Sequence, residues 1–89
     1  MIKEQVRIKD LGSLHLRPAK EISKVASQYK CSIKLMTDNV TANAKSIISL
    51  LGACVKFGEY VELVCDGEDE AEAFKVIRQI LAYEELNNN

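Results

Sequence analysis

The chain has 89 residues, 47% hydrophobic and 28% charged, with a formal net charge of −1, which suits one small domain with a single two-layer core and not two. The near-neutral balance excludes the basic footprint of a nucleic-acid binder. No apolar run has membrane length or the look of a signal-peptide core, so a cytoplasmic protein without nucleic-acid or membrane partners is expected. Cys31, Cys54 and Cys65 form an odd set without the short paired spacing of a zinc or redox motif, and read as buried or half-buried thiols in a reducing compartment.

In chain order, Ile2 to Ile8 alternates, with Ile2, Val6 and Ile8 on one side and Lys3, Arg7 and Lys9 on the other, the pattern of a half-buried strand. Leu11 to Ala19 follows and holds the chain's only histidine and only proline. Gly12 and Ser13 mark a loop. Pro18 marks a helix opening, because it lacks an N–H that would be idle in the first turn and its φ is already near the helical value. The first N–H groups of a helix have no internal partner, and with the positive end of the dipole they favour an anion. His15 stands just before that turn. The same field opposes its protonation, leaving a neutral imidazole with a lone pair for nucleophilic attack, and Arg17 supplies charge-assisted hydrogen bonds for phosphoryl oxygens. From spacing alone, a capping or surface histidine without chemistry accounts for the same residues.

The first helix presents Ala19, Ile22, Val25, Ala26 and Tyr29 at spacings of three and four, with Lys20, Glu21, Lys24 and Gln28 outside, and is expected to end near Tyr29 or Lys30. Cys31, Ile33 and Leu35 alternate with Ser32 and Lys34 as a second strand. Thr37-Asp38-Asn39 is turn chemistry leading to a third strand, Val40 to Asn43. Ser46 offers an N-cap hydroxyl for a short second helix whose buried stripe is Ile47, Leu50, Leu51 and Cys54. Ile48, about 100° round from Ile47, is expected at the core's rim or in solvent, and Gly52 is expected to end this helix early.

Phe57-Gly58 reads as a loop, and Tyr60 to Cys65 as a fourth strand, partly apolar on both faces and hence central. Asp66 to Glu70 is an acidic turn and helix opening, read as solvated capping and not as a metal site. The last helix buries Ala73, Phe74, Ile77, Ile80 and Leu81, then fades into a frayed tail at 87–89. The order βαββαβα describes one two-layer α+β domain over residues 1–89.

Three runs now stand together: Ser13-Leu14-His15-Leu16-Arg17-Pro18-Ala19, Asn43-Ala44-Lys45-Ser46-Ile47, and Asp66 to Glu70 before the closing helix. In these the chain resembles the histidine-containing phosphocarrier family, HPr, of the bacterial sugar phosphotransferase system. The resemblance covers nearly the whole chain. It implies an open-faced sandwich, with one four-stranded antiparallel sheet carrying three helices on one face. It also implies that His15 is the phosphoacceptor, that Arg17 stabilises the phosphate and that Pro18 opens the helix. Enzyme I is the implied donor and Enzyme II A domains the acceptors.

Ser46 matches a position that a kinase/phosphorylase modifies in many Gram-positive relatives to control carbon use, which adds that kinase and a transcriptional regulator as partners. Leu16, Ile48 and Leu51, ringed by Arg17, Lys20, Lys24 and Lys45, make a docking surface for an acidic partner with an apolar centre. Leu51 is also readily explained as core. No metal or nucleotide cofactor is expected, since no glycine-rich phosphate loop is present, and a monomer suits a relay that visits several partners. Ser13, Leu16 and Lys20 depart from the family's usual residues, which bears on partner specificity. Two other readings remain: a regulatory paralogue in carbon or nitrogen control, against which the retained His15 counts, and an interaction module in which His15 is structural.

Overall fold

The computed structural model describes residues 1–8, 16–54 and 60–82, with the backbone alone for 16–18 and 54. Its elements are β1 (Ile2–Arg7), α1 (Leu16–Ala26), β2 (Ser32–Met36), β3 (Thr41–Asn43), α2 (Ile47–Cys54), β4 (Tyr60–Asp66) and α3 (Glu70–Ala82). The four strands form one antiparallel sheet in the order β1-β4-β2-β3. β4 is central, as its two-sided apolar character predicts.

Register places the apolar set on one face. Val6 pairs with Val61, Ile33 with Cys65, and Leu35 with both Leu63 and Ala42; all seven are buried. The alternate residues of the same strands, Lys3, Gln5, Lys34, Thr41 and Asn43, point the other way and are exposed. The helices cover the apolar face with Ala19, Ile22 and Ala26 of α1, Leu50 and Ala53 of α2, and Ala73, Phe74, Ile77 and Leu81 of α3. Each large aliphatic side chain so buried contributes roughly 1.5–3 kcal/mol by leaving water. The result is the expected α+β open-faced sandwich.

Several local expectations are corrected. The first helix ends at Ala26 and not near Tyr29 or Lys30. The N–H groups of Gln28 and Tyr29 donate to carbonyls three residues back, Val25 and Ala26, at 3.0 and 3.2 Å, so the chain leaves the helix through a tightened turn. Tyr29 still packs against the core. The third strand starts at Thr41, because the Val40 carbonyl accepts from Thr37 N–H at 2.8 Å and closes the turn.

Gly52 does not end α2, which runs on to Cys54. Gly52 faces open space, with nothing within 4 Å of where a Cβ would stand, so the packing of Leu50 and Ala53 carries the helix past it. Ile47, expected on the buried stripe, is 36% exposed, and Leu51 is half-buried. α2 packs chiefly on α1 and on the three-residue edge strand β3, and its first turn is partly uncovered. Phe57, Gly58 and the tail at 87–89 lie outside the described residues.

The acidic run does more than cap its own helix. Asp69 accepts from the backbone N–H groups of Lys30 (2.8 Å) and Cys31 (2.9 Å), tying the approach to β2 to the start of α3. Glu70 Oε1 accepts from Gly67 N–H at 2.9 Å, while its Oε2 meets the N-terminal ammonium at 3.0 Å.

Candidate functional site

α1 begins at Leu16, the residue that follows His15 in sequence, and Pro18 is its third residue. The missing proline N–H therefore falls among the donors with no helical partner. The first turn holds no acidic residue to compete for its field. His15 itself and the side chains of Leu16, Arg17 and Pro18 lie outside what is described. Further along, Ala19, Ile22 and Ala26 turn inward, while Lys20 and Lys24, one turn apart, are exposed. An open groove runs beside them, lined by Lys20, Glu21, Ser23, Lys24 and Ser27, with Ile47 of α2 as its far wall.

The lead into α2 is held by side-chain hydrogen bonds. Ser46 Oγ accepts from Ser49 N–H at 3.1 Å, so Ser46 is an N-cap. Ser49 Oγ accepts from Asn43 N–H at 2.9 Å, and Asn43 Oδ1 accepts from Lys45 N–H at 2.9 Å. Ile48 is 82% exposed. Leu51 lies one turn on, partly buried and packed against the core, so only an edge of it faces solvent.

Lys45 is engaged within the molecule. Its Nζ donates to the Tyr29 carbonyl at 2.7 Å, beyond the end of α1, and its carbonyl accepts from Ser23 Oγ at 3.0 Å. Sequence reasoning missed Ser23. A signal was present: serine at 23 falls between Ile22 and Ala26 on the inward side, where a hydroxyl needs a partner. Ser23 is 7% exposed, and no other polar or charged residue among those described is buried.

Two thiols, the other candidate nucleophiles, are accounted for. Cys31 and Cys65 are buried free thiols; burial pushes both upward, Cys65 to about 12, so they stay protonated near neutral pH. No group of three or more His, Cys, Asp or Glu among the described residues could hold a metal ion, and no helix there is long and apolar enough to cross a membrane.

A family model, PTS HPr component phosphorylation site, matches residues 2–83. The chain belongs to the HPr family. Phosphocarrier protein HPr of Mycoplasma pneumoniae is 37% identical over 82 residues, 91% of this chain and 93% of that protein. The crystal structure of HPr from Thermoanaerobacter tengcongensis superposes with a TM-score of 0.81 at 35% identity, covering 97% of this chain and 100% of that one. The Bacillus subtilis catabolite-repression protein Crh has the same fold, with a TM-score of 0.73 at 30% identity and coverage of 92% and 90%. HPr proteins are phosphocarriers of the phosphotransferase system and not catalysts, and that carrier role is this chain's general function.

Proposed function

We propose that this chain takes a phosphoryl group on His15 from phosphorylated Enzyme I and passes it to Enzyme II A domains, moving between them as a monomer in the cytoplasm. The observation that carries this reading is the position of the only histidine. It lies inside the span matched by the phosphorylation-site family and directly precedes the first residue of α1.

In the proposed step a neutral ring nitrogen of His15 uses its lone pair to form a P–N bond. The donor's bond to phosphorus breaks, and that electron pair returns to the donor. The second transfer reverses these roles toward the acceptor. Arg17 and the first-turn amides balance the phosphoryl charge, and a site with few contacts releases the group as readily as it takes it. Lys20, Lys24 and Lys45 with Leu16, Ile48 and Leu51 form the docking surface, matched to an acidic partner. Intact mass after reaction with Enzyme I and phosphoenolpyruvate tests the reading. One phosphoryl group is expected on the unsubstituted protein and none on His15→Ala; a phosphorylated His15→Ala protein sinks it.

Regulation through Ser46 is the second part of the proposal, supported by its place at the α2 N-cap and next to Ile47 in the groove of Lys20 and Lys24. A phosphate there adds about −1.5 to −2 charge to a surface that meets acidic groups. A kinase/phosphorylase and a transcriptional regulator are the corresponding partners. Ser46→Asp should slow phosphorylation of His15 by Enzyme I with the melting temperature unchanged, and equal rates for the two proteins remove this part.

A further inference from the structure

We propose that Ser23 is a positioning residue for phosphoryl transfer, acting through a strap that fixes how α2 lies along α1; this rests on the carrier reading above. Ser23 is buried in mid-helix, and its Oγ donates to the Lys45 carbonyl, 22 residues away, at 3.0 Å. Lys45 is then held a second time, because its ammonium donates to the Tyr29 carbonyl at 2.7 Å. The two attachment points are six residues apart in sequence, Ser23 within α1 and Tyr29 beyond its end.

One residue pinned at both ends of such a span leaves little freedom to slide or rotate. Lys45 immediately precedes Ser46, the N-cap of α2, so the strap sets where the exposed Ile48 and the groove wall Ile47 stand relative to Lys20 and Lys24. Among the elements α2 packs chiefly on α1 and the short edge strand β3; the Asn43–Ser49 hydrogen bond ties it on the β3 side, and the strap supplies a hydrogen-bonded tie on the α1 side. A valine or alanine at 23 would satisfy the inward face of α1 equally well by hydrophobicity. The hydroxyl adds only the cross-link.

Ser23 does not touch the reacting atoms, so its loss should change docking and not chemistry. With Enzyme I and phosphoenolpyruvate well below the melting temperature, Ser23→Ala should raise KM for this protein about fivefold, one hydrogen bond of about 1 kcal/mol. Its kcat should stay the same. Alanine favours the helix, so the variant should fold, which a thermal melt checks. Ser23→Thr keeps the hydroxyl and should bring KM back. The slope of KM against salt should be alike in all three proteins, since no docking charge is removed. A lower melting temperature with an unchanged KM reduces Ser23 to a structural residue and overturns the proposal, as does a KM that threonine leaves raised. No phosphoryl uptake by the unsubstituted protein overturns the carrier reading and this inference together, whereas uptake with equal KM for all three overturns this inference alone.

Discussion

Gly67 and Asp69 decide how β4 hands over to α3. Gly67 has φ of +153°, outside the range that L side chains readily adopt, and a Cβ there would stand 2.6 Å from both Cα and Cβ of Cys31. Strain and overlap add, so Gly67→Ala should destabilise by about 2–4 kcal/mol, read as a lower urea midpoint. Asp69 accepts the Lys30 and Cys31 amides two residues on, and those hydrogen bonds, that of Lys30 foremost, hold its carboxyl below the ordinary aspartate value. A depressed folded value means that the stabilisation is complete above the unfolded value of about 3.9 and is lost as pH falls through the folded one. The urea midpoint of the unsubstituted protein should therefore drop more steeply across that acid window than that of Asp69→Asn. Parallel profiles would show that the carboxylate is only a spectator.

At the scale of the element, α2 separates core from surface within one turn. Leu50 is 2% exposed and Ile48 82%, so Leu50→Ala should cost about 2–4 kcal/mol. Ile48→Asp should weaken binding to Enzyme I while stability changes by less than about 0.5 kcal/mol, and a large fall in its melting temperature would show that Ile48 is core. Gly52 lies in the helix with open space where a Cβ would stand, so Gly52→Ala should stabilise by about 0.5–1 kcal/mol, the opposite sign to Gly67→Ala. Period-two alternation made β2 and β4 legible because one face of each is buried throughout, and the exposure of Ile48 followed from 3.6-residue geometry. What was not legible depends on partners far away in sequence. Asp69 looks like a cap until the Lys30 and Cys31 amides are seen against it, and Ile47 looks like core until the partly uncovered first turn of α2 is seen. Ser23 needs Lys45, and no local pattern links the two.

The whole molecule divides its work between two surfaces. The helix layer carries the start of α1, the groove and the exposed turn of α2, while the far face of the sheet shows Lys3, Gln5, Lys34, Thr41 and Asn43 to solvent. Both faces carry lysine, so net charge alone does not decide where the proposed acidic partner would land. Ile48 and Ile47 give the helix side an apolar centre beside Lys20 and Lys24, the combination that resists salt and fixes orientation. On the sheet face Val64 and Met36 are half-buried, Tyr60, 50% exposed at the start of β4, ends in a polar hydroxyl, and Glu62, 4.0 Å from Lys3, offsets its charge. Charge reversal on each side tests this division with one kind of substitution. Lys24→Glu should raise the KM of Enzyme I for this protein about fivefold at low salt, and the difference should shrink as ionic strength rises. Lys34→Glu, with the same change in net charge, should leave KM unaltered. If the two variants weaken docking equally, long-range attraction to the whole protein governs the encounter, and the apolar turn of α2 has no part in orienting it.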